Sequence, residues 1–392
     1  MDDILSQGGD NEPSPWPRRL AVIAPLIVVI VGAAVYLSLP RHQQAPAAAH
    51  PTPAATATAP PGPNGIAGPT LTWDSSVVLP ADGTRPAWFE PASGRSEPIG
   101  GLPANRFGYQ FIRVAGGWAV QASRGAQAGC ASCAGPPVPV WFLADGARSV
   151  TRIGLANLVA PAAIAGNAWL TSYPPGADMT TTAGTAREVG ATGTVTKSVR
   201  LPPGYEIDQG TDRGLLLAPV TQQPGAATDK LWDPSAPQAD RAFDGVLATS
   251  PAEIAWTSNC APTCSVHTLD LATGRDTVIA LPAGTSAVSG AFSPDGSYLA
   301  LQMSFGNTGD GGDLAMQLEV VPTATGRLTL VPGTWASSDA LVGFGWPAGG
   351  DHLVAEFNFT TKTQLASWQP GASRPAVTAV RSGRDQSSLI LG

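Results

Sequence analysis

Charge is scarce in this 392-residue chain: Asp, Glu, Lys and Arg together make up 13% of it. Lysine is nearly missing, with three residues (Lys197, Lys230, Lys362) against nineteen arginines. Residues 43–392 hold 25 acids and 19 bases, so the bulk of the chain is acidic. It offers no basic footprint for nucleic acid or for anionic lipid. No Gly-X-Y period is present, which excludes a collagen-like chain. What is plentiful is Gly (45) and Pro (38), about a fifth of the sequence against ~12% in ordinary proteins. With 43% hydrophobic residues the chain is too apolar to be disordered, and it has too many helix breakers for a helical bundle. A turn-rich, all-β protein with unstructured pieces remains. The Arg-over-Lys bias and the Ala, Gly and Pro excess read as a GC-rich genome rather than as chemistry.

Leu20 to Leu39 is a run of 20 residues without a charge. As a helix it would span ~30 Å, the thickness of a bilayer core. Arg18 and Arg19 flank one end and Arg41 the other, which favours the N-terminus inside. A cleaved signal peptide has a shorter apolar core and a short basic head, whereas this head has 19 residues and four acids. The reading is therefore a cytoplasmic tail (1–19), a single uncleaved transmembrane helix (20–39) and an Ala/Pro/Thr-rich linker (40–69). Residues 70–392 form the extracytoplasmic domain.

That domain carries two interleaved turn signals. Ala92-Ser93-Gly94-Arg95 recurs as Ala144-Asp145-Gly146, Ala191-Thr192-Gly193, Ala272-Thr273-Gly274-Arg275, Ala324-Thr325-Gly326-Arg327 and, more loosely, Pro370-Gly371. The interval from Gly193 to Gly274 is a doubled step, and Trp232-Asp233-Pro234-Ser235 marks the missing turn. From Gly94 to Gly371 there are then six steps of about 46 residues, hence seven units. The second signal is Ala291 to Ala300, a strand, a Ser293-Pro294-Asp295-Gly296 turn and a strand. Gly345 to Ala355 repeats its layout, Ser250 to Trp256 shortens it, and Val114–Val120, Ala165–Leu170 and Asp212–Leu217 are degenerate copies. Two hairpins per unit give four strands, and such a repeat around a ring is the pattern of a β-propeller. The last strand, Ser387–Leu391, is expected to pair into the first blade and so remove a free edge.

The stretch Phe292 to Ala300, FSPDGSYLA, resembles the hairpin of WD-like propeller repeats of the Tol–Pal type. With the anchor and the composition, the resemblance is to a membrane-anchored, bacterial, actinobacterial-like repeat protein. It implies a seven-bladed β-propeller of four-stranded blades. The Trp-Asp dipeptide of eukaryotic WD repeats is not kept at the unit ends.

The four cysteines form two close pairs, Cys130-x2-Cys133 and Cys260-x3-Cys264, between the second and third strands of units two and five. Those units are not neighbours in a seven-fold ring, which argues against one four-thiolate zinc site. Outside the cell two local disulfides, Cys130–Cys133 and Cys260–Cys264, are expected. The competing redox reading lacks the helix N-terminus that lowers a thiol pKa. Beyond the tether only His267 and His352 remain, and there is no G-x-S-x-G elbow, so a serine hydrolase is disfavoured and His267 reads as a surface strand residue. The Asn307 to Asp313 loop lacks the full ligand set of a calcium site. Asn358-Phe359-Thr360 fits a glycosylation acceptor without consequence in a bacterial chain. The ten tryptophans beyond the tail read mainly as packing between blades. No metal or other cofactor is expected.

Three functions stay open. The first is a non-catalytic binding scaffold in the envelope for a protein, peptide or glycan. The second is a propeller-type lyase or glycosidase using carboxylates at the channel mouth, with Asp208, Asp212, Glu253 and Asp295 as candidate acids. The third is an envelope sensor, whose short cytoplasmic tail would need another protein.

Overall fold

The computed structural model describes residues 77–79, 86–90, 93, 95–124, 132–221, 228–236, 240–258, 264–305, 315–334, 336–337, 341–347, 349–359 and 362–382. The segment 20–39, the linker, Gly94, Cys130, Cys260, the loop 307–313, Trp335, Thr360 and the strand expected at 387–391 lie outside them. Among the described residues there is no helix, so none is long and apolar enough to cross a membrane.

All regular structure among the described residues is antiparallel strand, arranged as successive sheets. Sheet one holds β1 (Val77–Leu79), β2 (Ala87–Glu90) and β3 (Arg95–Pro98). Sheet two holds β4 (Tyr109–Val114), β5 (Gly117–Ala122), β6 (Val138–Ala144) and β7 (Thr151–Ala156). Sheet three holds β8 (Leu158–Pro161), β9 (Asn167–Ser172), β10 (Thr185–Gly190) and β11 (Val195–Arg200). Sheet four holds β12 (Tyr205–Thr211), β13 (Gly214–Pro219), β14 (Asp229–Trp232) and β15 (Arg241–Phe243). Sheet five holds β16 (Val246–Thr249), β17 (Glu253–Ser258), β18 (Ser265–Asp270) and β19 (Asp276–Ala280). In sheet six, β20 (Thr285–Phe292), β21 (Tyr298–Phe305) and β22 (Ala315–Pro322) are followed by an outer strand broken into β23 (Thr329–Leu330) and β24 (Ala336–Ser337), both paired with β22. Sheet seven holds β25 (Leu341–Gly345), β26 (Leu353–Phe359), β27 (Lys362–Trp368) and β28 (Ala376–Ser382).

The expectation of seven four-stranded blades is corrected to six. Sheet one has three strands among the described residues. The repeated Ala-x-Gly turns explain the difference. At 144–146, 191–193, 232–235, 272–275, 324–327 and 370–371 the turn joins the third strand of its sheet to the fourth, but Ala92–Arg95 joins β2 to β3. By that equivalence β1, β2 and β3 are a second, third and fourth strand, and the strand not represented is the first. The Ala376–Val380 segment, also placed beyond the last turn by sequence, is the outer strand of its own sheet.

Glycine recurs in these turns because the position is left-handed: φ is +72° at Gly146, +86° at Gly193, +74° at Gly274, +66° at Gly326 and +91° at Gly371. The glycine-free copy is closed instead by Asp233, whose Oδ1 accepts from the Ser235 N–H (2.8 Å) and hydroxyl (2.7 Å).

Each pair of sequence-adjacent sheets shares one apolar layer. Trp88, Ile99, Trp118 and Trp141 fill the layer between sheets one and two, and Ala119, Phe142, Ile153 and Leu170 the next. Trp169, Ile207, Leu217 and Trp232 join sheets three and four. Phe243, Ile254, Trp256 and Leu269 join four and five. Met303, Leu301, Ile279 and Val266 join five and six, and Leu318, Trp346, Phe357 and Trp368 join six and seven. All eight tryptophans with described side chains are buried, which supports packing as their role. Second strands such as β5 and β26 are buried along nearly their whole length, because both faces of the sheet are covered. First strands of neighbouring sheets touch one another (β4 with β8, β8 with β12, β16 with β20, β20 with β25), so the first strands are the inner ones.

Candidate carboxylate sites on the inner strands

The inner strands of sheets four to seven share one irregularity. The register slips between Ile207 and Gln209, Val246 and Ala248, Ala287 and Ser289, and Leu341 and Gly343. A bulge leaves one residue out of the ladder and re-aims the chain. The residues left out are Asp208, Leu247, Val288 and Val342, one on the inner strand of each of four consecutive sheets. Asp208 and Val288 are exposed, and Leu247 is half-buried.

Asp208 is the one acid among them, and it has company that the sequence reading missed. Glu206 lies two residues before it on β12, and Asp229 opens β14. Burial pushes the Glu206 carboxyl up to about 7, and the neighbouring Asp208 adds to the rise. Asp208 is accessible to water yet crowded by protein. That crowding, with Asp229, raises its pKa. Burial also raises Asp229, partly offset by a hydrogen bond from the Val246 N–H at the start of β16. The Tyr173 hydroxyl is pushed up to about 12, first by burial and then by Glu206. It donates to the Tyr205 carbonyl at 3.1 Å. Lys230, adjacent to Asp229 on β14, is engaged elsewhere, 3.0 Å from Asp240 Oδ2 and 4.5 Å over the Tyr205 ring. Among the described residues Glu206, Asp208 and Asp229 make no ion pair.

Two of the four acids singled out from sequence do meet, at the end of the propeller where first strands turn into second strands. Glu253 is the first residue of β17 and pairs directly with Asp270, the last of β18. Its Oε2 is buried without a hydrogen-bond partner. It lies against the Ser293–Gly296 turn of sheet six, where a Cβ added to Gly296 would sit 2.7 Å from Oε2. Glu253 is pushed up to about 7 by burial, then by Asp270 and Asp295. Asp295 is held low by the Ser293 hydroxyl (2.6 Å) and by the N–H (3.0 Å) and hydroxyl of Ser297. Asp270 is held low by the turn N–H groups of Thr273 and Ala272. One carboxyl thus titrates near neutrality between two that are held low. Asp212 joins neither group: it caps the β12–β13 hairpin and its N–H donates to the Pro251 carbonyl at 2.9 Å.

The Ser293–Gly296 turn is built from its own side chains. Ser293 Oγ accepts from the Tyr298 N–H (2.9 Å), and the Gly296 N–H donates to the Ser293 carbonyl (2.9 Å). Gly296 has a φ of +70°. Cys133 and Cys264 lie in the second-to-third connections of sheets two and five, where the sequence put them. Both are disulfide-bonded, and no cysteine is free among the described residues. Their expected partners Cys130 and Cys260 fall outside those residues. No group of three or more His, Cys, Asp or Glu among the described residues is arranged to hold a metal ion.

No protein-family model matches the chain. No curated protein matches it either. Solved structures do. The β-propeller domain of the Trilobed protease from Pyrococcus furiosus superposes with a TM-score of 0.50 at 9% identity, over 82% of this chain and 98% of that domain. The chain is a β-propeller. Lower scores link the propeller to TolB from Acinetobacter baumannii (TM-score 0.44, 12% identity, 83% of this chain and 68% of TolB). A puromycin-hydrolysing peptidase from Mycobacterium tuberculosis is similar to the same degree (TM-score 0.48, 14% identity, 82% of this chain). The propeller spans just over two thirds of TolB and about half of that peptidase, at 54%. At these identities the likeness is one of fold.

Proposed function

We propose that the chain is a membrane-anchored, extracytoplasmic scaffold of the cell envelope, and that its inner strands bind a basic segment of a protein or peptide. The observation that carries this reading is the set of inner-strand bulges that includes Asp208, with Glu206 and Asp229 beside it and no cation paired to them among the described residues. Crowded carboxylates without counter-charge favour a cationic occupant, and Leu247 and Val288 supply apolar contact from the same set. The run Leu20–Leu39 is the anchor in this reading, and an extended linker (40–69) would hold the propeller about 90 Å from it. The disulfides of Cys133 and Cys264 are assigned to Cys130 and Cys260, each closing a small loop.

The test is binding by the full-length chain in nanodiscs. Fluorescence anisotropy would compare short Lys/Arg-rich peptides with Asp/Glu-rich ones. Basic peptides should bind, and more tightly at pH 8 than at pH 6, because ionising the raised carboxyls strengthens a cation site. The triple variant E206Q/D208N/D229N should lose tenfold or more of the affinity, in line with the ~1.4 kcal/mol per decade of binding free energy. Equal binding of acidic peptides, or an unaffected triple variant, would sink the idea.

A second reading is favoured by one observation, the split between Glu253, raised to about 7, and Asp295, held low. An acid and a base in one site is the requirement for glycosidic or lyase chemistry. It is tested by turnover of envelope polysaccharide by the wild type and by E253Q. Polysaccharide cleavage by the wild type that E253Q abolishes would favour it over the scaffold.

A further inference from the structure

The junction of sheets four and five holds a set of side chains that neither carboxylate group uses. In sheet five Trp256 pairs with His267, Ser258 with Ser265, and Leu269 with Asp276. Strand alternation therefore puts Ser258, His267 and Asp276 on the same face. Ser258 Oγ lies 2.6 Å from His267 Nε2, and His267 Nδ1 lies 3.0 Å from Asp276 Oδ1. An ionised carboxylate can only accept, so Nδ1 carries the proton. Nε2 is left to accept the Ser258 O–H. The imidazole stacks on Trp256, with centroids 5.0 Å apart and planes at 25°. The second oxygen of Asp276 accepts from Arg241 Nη2 of β15 at 3.4 Å, and the same guanidinium lies 5.2 Å from the Trp256 ring centroid. Both nitrogens and one face of the ring are thereby held by sheet five, with Arg241 of sheet four supporting Asp276 and Trp256. The His267 side chain keeps 19% of its surface exposed and Asp276 36%, so the group is held firmly yet open to small molecules. His267 is the strand histidine expected from the sequence, but it is half-buried and held by its neighbours.

A serine hydroxyl, an imidazole with its acceptor nitrogen on that hydroxyl, and a carboxylate on the other nitrogen make up the arrangement that activates serine. It depends on geometry and not on a G-x-S-x-G elbow, whose absence spoke against hydrolysis in the sequence. We propose that Ser258 is an activated nucleophile toward small acyl esters, with His267 as its general base and Asp276 as a positioning residue. Ser258 Oγ bonds to the acyl carbon as its proton passes to Nε2. The bond to the leaving alcohol breaks as Nε2 returns that proton to the departing oxygen. Water then attacks the acyl carbon, giving its proton to Nε2, and the acid leaves as Ser258 recovers its hydrogen. The net change is ester plus water to acid plus alcohol. Among the described residues one other hydroxyl competes, Ser265 Oγ, 3.5 Å from Nε2 and 3.3 Å from Ser258 Oγ.

The experiment treats the full-length chain in detergent with a biotinylated fluorophosphonate, maps the label by mass spectrometry, and follows p-nitrophenyl acetate release in parallel. One label on Ser258 is expected, lost in S258A. H267A and the size-matched H267Q should slow labelling by about 100-fold or more, the range of general-base assistance. D276N should slow it as well and D276E should restore part of the rate, with melting temperatures tracked for every variant. A purely structural hydrogen-bonded chain would lower those melting temperatures without any labelling at Ser258. That outcome overturns the proposal, as does label on Ser265, or label on Ser258 at a rate that H267A and H267Q leave unchanged.

Discussion

Glu206→Gln should make the protein more stable, and only above the ordinary carboxylate pH range. Glu206 is pushed from 4.5 up to about 7, first by burial and then by Asp208. A carboxyl raised in the folded state binds its proton more tightly there than in the unfolded chain. Folding is therefore favoured below pH 4.5, and this contribution is lost as pH rises through 7. Each pKa unit is worth about 1.4 kcal/mol, so the full penalty at pH 8 is about 3 kcal/mol as an upper bound. The neutral amide has nearly the same size and never ionises, so it escapes that penalty. In a domain this large a gain of about 2–3 kcal/mol raises the melting temperature by about 4–6 °C. Thermal melts of wild type and variant, followed by circular dichroism between pH 4 and 9, give the difference curve. It should be near zero at pH 4, rise through neutrality and level off by pH 8. A difference that is constant with pH would refute the reasoning, because it would mean that the variant acts through packing alone. A variant less stable at pH 8 would refute it too, since it would show the ionised carboxylate to be favourably held.

Other outcomes follow from the same geometry. Gly296→Ala places a Cβ 2.7 Å from Glu253 Oε2 at a φ of +70°. It should cost about 1–2 kcal/mol in denaturant melts from the left-handed backbone alone. Trp346→Phe removes the indole N–H that donates to the Ala291 carbonyl at 3.0 Å, between sheets seven and six. It should cost about 1–3 kcal/mol for the orphaned acceptor, measured by urea unfolding. Reduction of the two proposed local disulfides should lower stability by no more than about 2 kcal/mol each, because the loops they close are short. Urea melts with and without reductant check this.

Much of the architecture was legible in the sequence. The Ala-x-Gly turns mark third-to-fourth connections because the left-handed position tolerates little else. The Pro-Asp-Gly-like turns mark the hairpins that begin on the inner strands. Even the doubled step was resolved correctly at Trp232–Ser235, where an aspartate side chain replaces glycine. The blade count failed because turns were counted rather than strands, and sheet one shows its turn without a full set of strands. The sites were harder to see. Glu206 and Asp208 sit two apart on one strand, but the bulge that singles out Asp208 leaves no mark in composition. Glu253 and Asp270 meet only through cross-strand register. Ser258 and Asp276 lie nine residues before and nine after His267, a symmetry that carries meaning only once two successive hairpins are in register.

The apolar layers have a consequence for how this chain reaches its native state. Every layer among the described residues is shared by sheets adjacent in sequence, from the Trp88–Trp141 layer to the one around Phe357. Among the described residues no buried layer has to wait for a distant segment before its two faces can meet. A sheet emerging from the ribosome or a translocation pore can dock on its predecessor as soon as its four strands are out, which keeps loop-closure cost low and little greasy surface bare at any moment. Assembly can then run in the order of synthesis, each finished sheet serving as the template for the next.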